Sequence, residues 1–105
     1  MVKYEMEIVN SKGNKFRDGE KTLTATRVKA CRYAKKEDCR VNIFEKDGYA
    51  MKLKEFIFYD PDPSGYNDFR PGFYLQQTGK EKSRRYRVSP TTGKLLDVSK
   101  TWKYL

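Results

Sequence analysis

From Thr24 onward the chain changes its hydrophobic period, and that change constrains the fold more than any other feature. Before it, Val2, Tyr4, Met6 and Ile8 alternate with Lys3, Glu5 and Glu7, a period of two that lays the apolar set on one face of a strand. After it, at about 100° per residue, Val28, Ala30, Cys31 and Ala34 fall on one arc, with Lys29, Arg32 and Lys36 opposite. The pattern predicts one amphipathic helix over 25–37, with Thr24 or Thr26 as its N-cap and Lys35 and Lys36 placed to suit the helix dipole.

Beyond residue 40 the period returns to two. RVNIFEK and YAMKLKEFIFY flank Asp47-Gly48, so 40–46 and 49–59 read as a hairpin. NSKGN at 10–14 and RDGEK at 17–21 bracket Phe16 with turn residues, which allows a short second strand. GFYLQQT, RRYRVS and KLLDV, the last two separated by a Pro90–Gly93 turn, supply about three more. The expected order is β(β)αββ followed by about three further strands. That is an α+β fold: a mainly antiparallel sheet with one amphipathic helix packed on one face.

At 105 residues the chain fits a single α+β domain spanning 1–105. Aromatic residues at 14% are enough for a small core despite the high charge. No apolar run approaches the roughly 18 residues of a membrane span, and MVKYEMEIV alternates where a signal peptide would be uniformly apolar. The expected location is therefore the cytoplasm, the host cytoplasm if the chain is phage-encoded. There Cys31 and Cys39 stay reduced, Cys31 as a small core residue and Cys39 at the start of a strand.

YDPDPSGYNDF, residues 59–69, forms an acidic island. Aligned to a calcium loop from Asp60, it offers Asp62, Ser64, Gly65 and Asp68 at the right offsets, but Pro71 stands where the bidentate glutamate is required. Pro61-Asp62 begins a nuclease-type motif whose second half is missing, since no Asp or Glu is followed two positions later by Lys. The loop reads as a turn stiffened by Pro61 and Pro63. With no histidine in the chain and no nucleophile elbow or phosphate-cradling loop, the expectation is a non-enzymatic protein without catalytic residues, metal ligands or cofactors.

The segment ATRVKACRYAKKEDCRVNIFEKDG, residues 25–48, resembles the helix, strand and Asp-Gly turn of small phage and prophage proteins. The resemblance implies origin in a mobile element and carries no catalytic residues over to this chain.

Positive charge is the remaining pointer to function. The net charge is +9, and the excess gathers in two places. Residues 27–36 hold Arg27, Lys29, Arg32, Lys35 and Lys36 without an acid, and 80–87 hold Lys80, Lys82, Arg84, Arg85 and Arg87 with only Glu81. Such clusters release counterions on meeting polyphosphate, a salt-sensitive attraction indifferent to sequence. The leading expectation is nucleic-acid binding, DNA or RNA, with Lys29, Arg32, Lys36, Lys82, Arg84, Arg85 and Arg87 as phosphate contacts. On a strand Arg85 and Arg87 share one face and Tyr86 joins the core. Trp102, within the basic KTWKY, either stacks on an unpaired base or closes the core. The alternative is a phage or mobile-element protein that binds an acidic host protein or defence complex, anchored by Tyr59, Tyr66, Phe69 and Tyr74, unless those rings fill the core edge. No membrane partner is expected.

Overall fold

A computed structural model of the chain describes residues 3–61, 71–78 and 85–97. Among these residues seven strands and one helix follow in the order β1 (Tyr4–Val9), β2 (Lys15–Glu20), α1 (Leu23–Lys36), β3 (Val41–Asp47), β4 (Ala50–Asp60), β5 (Gly72–Gln77), β6 (Arg85–Val88) and β7 (Leu95–Asp97). They form one sheet in the order β2-β1-β3-β4-β5-β6-β7, and every neighbouring pair is antiparallel. This is the α+β arrangement expected from the periods, including a real second strand and three strands after the hairpin.

Two of the elements differ in detail from their expected form. The helix begins earlier because Thr22, not Thr24 or Thr26, is the N-cap: its hydroxyl accepts the Ala25 N–H at 3.2 Å, satisfying one of the orphan donors of the first turn. Thr26 is buried, and its hydroxyl donates to the Thr22 carbonyl. The hairpin spans 41–47 and 50–60, shifted by one residue, with Gly48 at φ +62° in the turn, a left-handed position that favours glycine.

The helix connects β2 to β3, which flank β1 on its two sides, so α1 crosses over β1 and covers one face of the sheet. Met6, Ile8, Val41, Ile43, Ile57, Leu75 and Val88 of that face meet Ala30, Cys31 and Ala34 of the helix in the core. Strand register carries the face across the sheet through Met6↔Ile43, Val41↔Ile57, Ile57↔Leu75 and Leu75↔Tyr86. Tyr86 packs against this core, as its strand position predicted.

Two polar features fix the arrangement, one between helix and sheet and one within the sheet. Arg27, expected in the solvated basic cluster, is instead buried at 8% exposure and grips the fully buried Glu55 of β4. Its Nε donates to Oε2 at 2.8 Å and its Nη2 to Oε1 at 3.0 Å, while Nη1 reaches the Gly93 carbonyl at 3.4 Å. One guanidinium thereby ties the helix, the sheet and the β6–β7 turn. The second feature is a bulge: Ile43 pairs with Glu55 but Phe44 pairs with Leu53, leaving Lys54 as an extra residue in β4. Thr78, just past β5, binds there, with its N–H on the Lys54 carbonyl and its hydroxyl within reach of the Leu53 and Lys54 carbonyls.

Candidate nucleic-acid interface

The helix stripe is only partly available. Arg32 and Lys36 are exposed, but Lys29 leans toward β2, where its ammonium lies 2.6 Å from Glu20 and 3.5 Å from Asp18. The Lys29 charge is thus paired within the protein by acids about as exposed as itself, which weighs against its expected role as a phosphate contact. The Glu20 carboxylate, helped by Asp18, pushes the Lys29 ammonium above its ordinary value. Asp18 also accepts the Tyr33 hydroxyl at 3.0 Å and the Gly19 N–H at 2.7 Å. Burial pushes its carboxyl up, but these two donors and Lys29 outweigh burial and leave it below the usual value. The same contact raises the Tyr33 phenol.

Of the second basic cluster, Arg87 lies on the other side of the sheet. Arg87 stands opposite Tyr74 and Arg85 opposite Gln76 in the β5–β6 register, and Tyr74 belongs to the face turned away from the helix, since its neighbour Leu75 is in the helix-side core. The Arg87 guanidinium donates to the Pro71 carbonyl at 3.2 Å. The helix stripe and Arg87 therefore do not form one continuous surface. Lys82, Arg84 and Trp102 lie outside the described residues, as do Tyr66, Phe69 and most of the acidic loop.

The aromatic anchors fare similarly. Tyr74 is 1% exposed, which corrects its expected role as a partner contact: it is packed beside Phe58, ring centroids 6.0 Å apart. Tyr59 is half-buried, edge-on to Phe73 at 5.0 Å with the Lys35 ammonium 5.3 Å over its ring. Both observations favour rings filling the edge of the core.

What sequence reasoning missed is the sheet face that α1 leaves uncovered. Its centre carries half-exposed Phe44 and Phe56 with the amides Asn42 and Gln76 beside them, in a row set by Asn42↔Phe56 and Phe56↔Gln76. Leu53 and Met51, 38% and 40% exposed, extend the apolar surface past the bulge. The exposed Arg40 lays its guanidinium over the Phe56 ring at 4.7 Å, a cation–π arrangement. Glu5 and Glu7 also face this way, and each is matched: Lys15 and Arg17 reach Glu7, and Arg17 and Lys46 reach Glu5, at 3.6–3.7 Å. In these pairs the carboxylates are 18–22% exposed and the cations 40–58% exposed. The cations are the groups that meet solvent. A strand whose alternate residues, Phe56 with Phe58 and Ile57 with Tyr59, are aromatic or aliphatic on both faces was the available signal.

Chemically, this face can accept flat rings and anionic oxygens. Cys31 is a buried free thiol whose value burial pushes up to about 12, and Cys39 is a half-buried free thiol that burial also raises. Both are therefore protonated near neutral pH and poor nucleophiles. Among the described residues no group of three His, Cys, Asp or Glu side chains is placed to hold a metal ion, and no helix is long and apolar enough to cross a membrane. Comparison with protein-family models, with curated proteins and with solved structures finds no match to this chain.

Proposed function

We propose that the protein is a non-enzymatic, cytoplasmic accessory protein that binds nucleic acid through phosphate contacts without reading sequence. On the resemblance of residues 25–48, it is one carried by a phage or other mobile element. The contact surface is the sheet face away from the helix. The observation that carries this reading is the inequality within its ion pairs: Lys15, Arg17 and Lys46 project while Glu5 and Glu7 lie beneath them. Arg40 adds an exposed guanidinium that forms no ion pair among the described residues, and the whole chain carries +9. A polyanion gains from releasing counterions at such a surface. A host-protein partner finds less support, because Tyr74 is buried and Tyr59 half-buried beneath Lys35.

Fluorescence anisotropy with labelled DNA and RNA oligonucleotides, titrated across salt, tests the reading. The expected result is binding in the micromolar range at about 0.15 M salt, weakening with a log–log slope of about 3 for roughly four phosphate contacts. Absence of binding at about 50 mM salt, where phosphate contacts are strongest, contradicts it.

A further inference from the structure

We infer that the ligand of the uncovered sheet face is single-stranded nucleic acid, its bases stacking at Phe44, Phe56 and the Arg40 guanidinium while its phosphates meet the surrounding cations. The inference rests on the nucleic-acid reading above and narrows it to one form of the polymer. A duplex keeps its bases stacked inside and presents phosphate ridges, so it can use the cations of this face but not the rings laid in the sheet. Unpaired bases can use both, since any base offers a π-face to an aromatic or guanidinium plane.

Three features of the face fit that occupant. The aromatic surface is central rather than peripheral: Phe56 stands in the middle of the sheet, flanked across the ladder by Asn42 and Gln76. Those two amides are half-exposed, and each brings both donors and an acceptor, enough to meet base edges without demanding one base. Glu5 and Glu7 stand across from Phe44 and Asn42, and the more exposed cations that pair with them, Lys15 and Arg17 on β2 and Lys46 on β3, flank the rings on one side, with Arg87 of β6 on the other. From β2 to β6 the order crosses β1, β3, β4 and β5, about 24 Å at about 4.8 Å per spacing. That is room for a short run of nucleotides, at the small end of the roughly 4–16 seen for single-strand sites. Among the described residues the rings beside the helix's basic side chains are Tyr59 and Phe73, which pack edge-on against each other beneath Lys35 and have no row of amides alongside, so the single strand is assigned to the sheet and not to α1.

The test is competition between matched single-stranded DNA, single-stranded RNA and duplex DNA for the full chain, repeated with three variants. Arg40→Ala removes an exposed side chain and leaves the fold intact. Phe56→Leu keeps apolar bulk, with its folding checked by thermal melting. Arg32→Ala/Lys36→Ala is the helix control. The expected result is at least about tenfold tighter binding of the single strands than of duplex, about fivefold or greater loss with Arg40→Ala or Phe56→Leu, and less than twofold loss in the helix control. The two single-stranded arms show which sugar is preferred. Equal or tighter binding of duplex, or greater loss in the helix control than in Arg40→Ala, overturns this inference while leaving the nucleic-acid reading standing. Binding of none of the three polymers overturns both and directs the search to a protein partner.

Discussion

A methyl group at Gly93 has no room. The residue sits at φ +74°, where L side chains are rare, and a Cβ there runs into the Thr24 carbonyl and comes within 2.9 Å of the Thr24 Cα. These are backbone atoms of the first helical turn, so no rotamer change relieves the contact. Gly93→Ala is expected to lower stability by about 1–3 kcal/mol from the backbone conformation alone, with the collision adding to it. Thermal melting checks this, and an unchanged melting temperature contradicts the packing of the β6–β7 turn against α1. The PTTG turn was legible in the sequence as a turn, but its contact was not, because turn residues specify local dihedrals and say nothing of what lies across 69 positions of chain. Arg27 was misread for a different reason. At about 100° per residue it falls inside the arc of Ala30, Ala34 and Cys31, yet its charge argued for solvent; burial becomes tolerable only because Glu55, distant in sequence, supplies a bidentate partner.

At the level of elements, that pair fastens the helix to β4. Removing one partner leaves a buried, uncompensated charge, so Glu55→Ala is expected to cost about 3–5 kcal/mol. Replacing both by apolar groups, as in Arg27→Met/Glu55→Met, is expected to cost far less than the single change, and chemical denaturation of the single and double variants measures the difference. A double variant as unstable as the single one would falsify the account of the pair as a mutual requirement. The elements themselves were largely readable. Period two in 4–8 and 50–59 and the 100° period of 28–34 located β1, β4 and α1, since alternation and helical spacing follow directly from backbone geometry. The helix start was placed late because Thr22, Thr24 and Thr26 are chemically equivalent candidates, and the cap is decided by which of them turns extended, as Thr22 does at φ −118° and ψ 154°.

For the whole molecule, α1 covers one face of the sheet, and on the other face Asn42, Phe44, Phe56 and Gln76 stay half-exposed while Tyr74 is buried. Charge counted along the chain joined Lys29, Arg32 and Lys36 with Arg85 and Arg87 as one property, but the fold assigns the helix stripe and Arg87 to opposite faces and spends Lys29 on Glu20 and Asp18. The face away from α1 draws instead on segments far apart in sequence, Arg17 of β2, Arg40, Asn42 and Phe44 at and before β3, Phe56 of β4 and Gln76 of β5, which are brought together by strand order. Local alternation could mark the face of each strand, but not which strands stand side by side. The most direct test of this face as the binding surface is backbone amide chemical-shift mapping by NMR during titration with a short single-stranded oligonucleotide. The expected result is that shifts concentrate at 40–44, 53–57 and 75–77, and shifts concentrated at 29–36, or spread without pattern, would contradict it.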